Sequence, residues 1–171
     1  MAVTEVPVTV KIPIIDVSSY LAGDPKAKAI AAQELREACE KTGFLQVVGH
    51  SVPEEDHVGG LEVLHKPTGT WHAVPPVEGS YVCNIGDLMQ RWTNNRYQST
   101  MHRVISPLSN QDRYSCAFFN DGALDVMVEC LPSCVKPGEK PLYEPIKVEK
   151  HIVARYQQSY GAGGTIIDAP A

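Results

Sequence analysis

The sequence predicts a mixed α+β fold that is mainly β. A helix-plus-strand piece at the N-terminal end is followed by short antiparallel strands arranged as a sandwich or barrel. Three observations predict this. One long helical pattern with both ends marked lies near residues 24–41, between two short extended runs. Beyond residue 59, short apolar runs alternate with Gly- and Pro-containing turns, a pattern of antiparallel sheets rather than of βαβ units. The chain has 171 residues, 43% of them apolar and 20% charged, enough to bury one real core.

The first extended run is residues 11–17, limited by Pro13 to an edge or entry strand. The helix follows. Asp24 is a good N-cap and Pro25 a good first helical residue. Ala27, Ala31, Leu35 and Ala38 keep one face small and apolar. Lys41 in the last turn and Gly43 just beyond it favour termination there. Residues 44–48 (FLQVV) read as a strand that ends at Gly49. Later strands are expected at 61–64, 70–74, 80–85, 100–105 and 114–119, the first two joined by a turn at Lys66-Pro67-Thr68-Gly69. Residues 131–145 are rich in Pro and Gly and predict a surface loop. A last helix is expected over 148–160, and residues 161–171 form a glycine-rich tail expected to fray. The domain divisions are 1–56, 57–130 and 131–171.

The net charge of −5 argues against nucleic acid or an acidic membrane as the main partner, and 7% aromatic content argues against a base-stacking platform. No stretch approaches the ~20 apolar residues of a membrane span. The N-terminus lacks a basic start followed by an apolar run, so no signal peptide is visible. The five cysteines at 39, 83, 116, 130 and 134 include no CxxC pair. Free thiols in a reducing, cytoplasmic compartment are the expectation. Cys83 and Cys116 lie in alternating apolar runs and are expected in the core. Cys130 and Cys134 are open to pairing or metal binding, with idle thiols the favoured reading.

The chemistry concentrates between Asn84 and Ser115. It contains Asn84-Ile85-Gly86-Asp87, then Ser99-Thr100-Met101-His102-Arg103-Val104, then Arg113-Tyr114-Ser115. His102 on a strand offers an imidazole, the commonest metal ligand. Arg113 and Ser115, two apart on a strand, would share a face, and a guanidinium beside a hydroxyl suits a carboxylate. Taken singly, each is more ordinary: a strand histidine is usually a hydrogen-bonded core or edge residue, and Arg-x-Ser is a common solvated pattern.

As an ordered set these residues resemble the 2-oxoglutarate- and iron(II)-dependent dioxygenases of the isopenicillin-N-synthase-like branch. One block runs from Ile12-Pro13-Ile14-Ile15-Asp16 to Gly49-His50-Ser51-Val52-Pro53 and is similar to the start of the family's N-terminal domain. The other runs from Val58-Gly59-Gly60-Leu61-Glu62-Val63 to Arg113-Tyr114-Ser115 and is similar to the later part of its jelly-roll core. The resemblance implies an incomplete double-stranded β-helix (jelly roll) preceded by the helix-plus-strand piece. It implies His102 as the distal iron ligand and Arg113 with Ser115 as the anchor of the far carboxylate of 2-oxoglutarate. Asn84 and Asp87 fall in the strand-turn leading to the histidine, with Gly86 and Asp87 supplying turn chemistry. Iron(II) and 2-oxoglutarate are the implied cofactors and a small organic metabolite the implied substrate. The reaction the resemblance implies is oxidation, with succinate and carbon dioxide as co-products.

The departure from the family is as informative as the match. A non-haem iron(II) site takes two histidines and one carboxylate, and the family's His-x-Asp stands shortly before the Val-Gly-Gly segment. No His-x-Asp occurs in the chain. The two blocks are joined near Asp56 and His57, with the intervening family sequence absent. Asp56, His57, His65 and His72 are the local candidates for substitute ligands. A jelly roll short of strands exposes edges, an expected route to self-association. Two readings follow. One is an oxidoreductase impaired by the loss of two iron ligands, or active through substitutes. The other is a non-catalytic remnant, splice form or binding protein.

Overall fold

The computed structural model describes residues 10–52, 59–105 and 113–160. They fall into two compact units, one within Met1–Ile85 and Thr100–Ser115, the other within Gly86–Ser99 and Cys116–Ala171. The expected join at Asp56–His57 and the tail 161–171 lie outside the described residues.

The first unit opens with β1 (Ile14–Asp16), a single helical turn α1 (Ser18–Leu21) and α2 (Pro25–Lys41). Asp24 caps α2 through a 2.8 Å bond from Lys26 N to its carboxylate, and Pro25 occupies the first position. At the other end Thr42 N and Gly43 N both donate to Ala38 O, at 3.0 and 2.9 Å. Gly43 takes φ +65°, the left-handed closure that glycine accepts without steric cost. Ala31, Ala38 and Cys39 are the buried face, as the alanine spacing predicts.

Strand β2 (Phe44–Val48) runs parallel to β1, with Ile14 opposite Gln46. The intervening helix makes this possible, since a crossover returns the chain in its original direction. The other edge of β2 takes β5 (Tyr81–Asn84), antiparallel, with Phe44 opposite Asn84. A second sheet has the order β4 (Thr70–Ala73), β3 (Leu61–His65), β6 (His102–Val104), antiparallel throughout. Thus the N-terminal block contains one parallel βαβ crossover that the antiparallel expectation did not include. The strand near residues 80–85 joins the N-terminal sheet across the expected boundary at 56.

The core of this unit is Ile12, Phe44, Val63 and Val74, with Val10 and Leu61 packed against it. Gln46 is also fully buried. Its amide is satisfied at both ends: Nε2 donates to Pro75 O at 3.1 Å, and Oε1 accepts from Ser80 Oγ at 3.0 Å. A buried amide left unpaired would cost about 1–3 kcal/mol, so this pairing fixes how the Pro75-Pro76 segment crosses β2.

The second unit holds α3 (Asp87–Trp92), a two-stranded ladder of β7 (Met127–Val128) and β8 (Ile146–Lys147), a 3-10 turn at Pro132–Cys134, and α4 (Val148–Tyr160). The last helix spans the expected residues. The Pro- and Gly-rich loop is tied down by two asparagines in the left-handed region, Asn94 and Asn95, a conformation asparagine tolerates better than most residues. Asn94 bonds Cys134 O at 3.2 Å and Leu142 N at 2.8 Å, and Asn95 Oδ1 accepts from the Tyr143 hydroxyl at 2.6 Å.

Two local expectations fail. Residues 114–119 are irregular rather than a strand. Phe118 and Phe119 are 90% and 79% exposed. An alternating apolar run becomes a strand only against a pairing edge and a face to bury, and the described residues offer this run neither. Cys83 and Cys116 are exposed rather than in the core; Cys39 is buried, Cys130 and Cys134 are half-buried, and all five thiols are free. Cys83 sits on β5, whose four residues are all exposed, so alternation there does not produce a buried face. Among the described residues no helix is long and apolar enough to cross a membrane.

Candidate functional site

Strand β6 positions His102. It pairs with Val63 of β3, and its ring meets the edge of Phe44, centroids 5.3 Å apart at 66°. The side chain is otherwise exposed. Nδ1 lies 3.2 Å from Thr100 O. A carbonyl can only accept, so Nδ1 is the donor in this contact and Nε2 is the nitrogen left to face a ligand. A backbone carbonyl that engages Nδ1 in this way is the usual support of a metal-binding imidazole.

Arg113 reaches the same sheet from an irregular segment. Its Nε donates to Gly59 O at 3.0 Å, so two-point carboxylate binding falls to the terminal nitrogens. Gly60, the next residue, packs against the end of β6. It has φ +102°, and a Cβ there would stand 2.4 Å from Ile105 O and 3.8 Å from Arg113 Nε. Residues 114–119 form no strand, so Ser115, exposed on an irregular segment, has no strand geometry aligning it with Arg113. The contact of Arg113 at Gly59 lies just ahead of β3, and the partner of His102 at Val63 lies within it, four residues further along the chain.

The register adds what residue spacing alone did not show. His72 and His102 both lie directly opposite Val63, and His65 is two residues along β3. Directly opposed residues and i,i+2 residues share a face. Three histidines therefore stand on one face of this sheet, including the substitute candidates His65 and His72. No group of three His, Cys, Asp or Glu side chains among the described residues is close enough to hold a metal ion. Asp56 and His57 lie outside the described residues.

In the second unit, Asp87 opens α3 and is gripped by α4. His151 Nε2 lies 2.9 Å from its Oδ1, an ionic contact off the direct N–H axis, and Arg155 bonds its Oδ2 through both Nε and Nη2. Burial alone would raise the Asp87 carboxyl. The close contact with His151 and the guanidinium of Arg155 outweigh that and hold it at about 2. The turn chemistry assigned to Asp87 from sequence omitted these partners, although the i,i+4 spacing of His151 and Arg155 places them on one helical face.

Comparisons with known proteins now bear on the class. The family model for the 2OG-Fe(II) oxygenase superfamily matches residues 42–122, and that for the non-haem dioxygenase in morphine synthesis N-terminal region matches 12–66. The two overlap over 42–66, which contains the join expected near Asp56. These matches define a non-haem dioxygenase class. The chain belongs to the 2OG-Fe(II) oxygenase superfamily.

Among curated relatives, the 2-oxoglutarate-Fe(II) type oxidoreductase hxnY of Emericella nidulans is 51% identical over 107 residues, which is 63% of this chain and 30% of that protein. Clavatol oxidase claD of Penicillium crustosum is 41% identical over 106 residues, 62% of this chain and 31% of that protein. The chain thus spans about 30% of the length of the curated relatives it matches. Among solved structures, a full-length Neurospora crassa protein in complex with alpha-KG and thymine aligns at a TM-score of 0.76 and 16% identity, covering 87% of this chain and 97% of that one. This likeness concerns the fold alone. JOX2 in complex with 2OG, Fe and JA aligns at a TM-score of 0.53 and 30% identity, covering 67% of this chain and 32% of that one.

Iron(II) and 2-oxoglutarate are the cofactors of this superfamily. The described residues supply one imidazole held through Nδ1 and one guanidinium for an oxoacid. A two-histidine, one-carboxylate centre needs two further protein ligands in reach of the first, and the described residues do not fit that requirement.

Proposed function

We propose that this chain carries the distal half of an iron(II)/2-oxoglutarate oxidoreductase that hydroxylates or desaturates a small organic metabolite. Its fold is read as an incomplete jelly roll preceded by a helix-plus-strand piece. His102 is the distal iron ligand of this reading, and Arg113 with Ser115 anchors the far carboxylate of 2-oxoglutarate. The observation that carries the reading is the contact of His102 Nδ1 with Thr100 O at 3.2 Å, within a stretch that matches the superfamily. Full catalysis on this reading requires ligands in addition to those on the described residues, from the 53–58 segment or from a further chain.

The test is succinate formation from 2-oxoglutarate with added iron(II) under air, coupled to anaerobic iron titration. The expected result is 2-oxoglutarate turnover that is abolished by His102→Ala and reduced at least tenfold by Arg113→Ala, with iron binding weakened by His102→Ala. Absence of succinate together with iron binding indifferent to His102→Ala would replace the oxygenase reading with a non-catalytic one.

A further inference from the structure

We propose that Cys39 and Cys83 are a thiol pair that a low-molecular-weight disulfide, such as oxidised glutathione, converts into a reversible intrachain disulfide tying α2 to the edge of the first sheet. The inference does not depend on the oxygenase reading.

Register brings the two thiols to one face of that sheet. Phe44 of β2 turns into the core with Val63 and Val74, and Gln46 on the same side meets Pro75 and Ser80. Leu45 therefore points to the opposite face. There α2 packs over β1 and β2, and Ile15 and Leu45 are fully buried. Cys83 lies directly opposite Leu45, and opposed residues share a face. Cys39 is on the buried side of α2, beside Ala38 in its last turns. Two backbone bonds join these places. Gly43 N donates to Ala38 O at 2.9 Å, and Ile85 N, two residues beyond Cys83, donates to Gly43 O at 2.8 Å. Burial pushes the Cys39 thiol up, and the charge of Cys83 adds to that rise, so the two groups are close enough to feel one another.

Their surroundings give them different roles. Cys39 is buried, whereas Cys83 is exposed on a strand at the edge of its sheet. Cys83 is the thiol that an incoming disulfide can reach. Its thiolate attacks one sulfur of oxidised glutathione, forming a mixed disulfide and releasing one glutathione thiolate. The Cys39 thiolate then attacks Cys83 Sγ and expels the second glutathione. The two protein thiols give up two electrons and two protons, and one glutathione disulfide takes them up to become two thiols. A disulfide holds its Cα atoms within about 7 Å, so the bond pins β5 against the end of α2. A crosslink between positions this far apart in the chain also restricts the unfolded ensemble.

The test uses the full chain. Reduced protein is exposed to oxidised glutathione under native conditions, remaining thiols are alkylated, and the chain is cut with trypsin. Cleavage after Lys and Arg, except before Pro, puts Cys39 in fragment 37–41, Cys83 in 42–91 and the other three cysteines in 114–147. The expected product is 37–41 joined to 42–91 and released by dithiothreitol. The oxidised wild type should melt higher than the reduced protein. Cys83→Ser, a change at an exposed position, should keep the native far-ultraviolet spectrum and show neither the joined fragments nor the shift. Glutathione retained on Cys83 with Cys39 still alkylatable in the unfolded chain would overturn the proposal. So would joining of 37–41 to 114–147, or joining of 37–41 to 42–91 only in urea. Equal melting of oxidised and reduced wild type would overturn the pinning of β5.

Discussion

The imidazole of His102 rests edge-on against the ring of Phe44, with centroids 5.3 Å apart. Phe44 is 1% exposed, so a candidate ligand at the surface is braced directly by the core. Phe44→Ala removes a buried ring and is expected to destabilise the fold by about 3–5 kcal/mol. A double-mutant cycle with His102→Ala should return a coupling of about 0.5–1.5 kcal/mol. Urea denaturation of the four proteins measures both quantities. A coupling of zero would mean that the two rings are merely adjacent.

Gly60 occupies a φ of +102°, with Ile105 O only 2.4 Å from where a Cβ would stand. Gly60→Ala is therefore expected to cost about 1–3 kcal/mol through backbone strain and displacement of the β6 end. The same change disturbs the neighbouring Gly59 O that holds Arg113. Thermal melts in parallel with Gly69→Ala give the check. Gly69 is also left-handed, at φ +66°, but faces open space. The Gly60 variant should melt lower than the Gly69 variant, and equal melting would refute the contact argument.

Asp87 links α3 to α4 through His151 and Arg155. Its folded value of about 2 lies below the ordinary 3.8. A depressed carboxylate stabilises the fold above its unfolded value, and that contribution is lost as pH falls through the folded one. The window is therefore from about 4 down to about 2. Because Asp87 is partly exposed, the contribution is about 1–2 kcal/mol after allowance for solvent screening. Stability measured between pH 5 and pH 2 should fall less steeply in Asp87→Asn than in the wild type. Identical slopes would show that the pairing contributes nothing.

Much of this protein was legible in residue order because the signals were local. Asp24, Pro25 and Gly43 mark the ends of α2 by satisfying or freeing particular backbone groups, and such effects need no distant partner. The same holds for α4 and for the 65–69 turn. The family could be read from ordered motifs, since Gly59-Gly60, His102 and Arg113 keep their sequence order whatever surrounds them. Their geometry could not be read in that way. Residues 114–119 carry a strand's alternation but remain irregular, because strand formation depends on a pairing edge supplied from elsewhere.

Residue order alone was enough for the elements with local codes, for the superfamily, and for the lack of any His-x-Asp pair in the chain. Three-dimensional pairing was needed to establish that β5 lies beside β2, that Gly59 O holds Arg113, and that His65, His72 and His102 share one sheet face. The physical reason is register. Which side chains meet across a sheet depends on pairings between residues tens of positions apart, and a shift of one residue would turn each side chain to the opposite face.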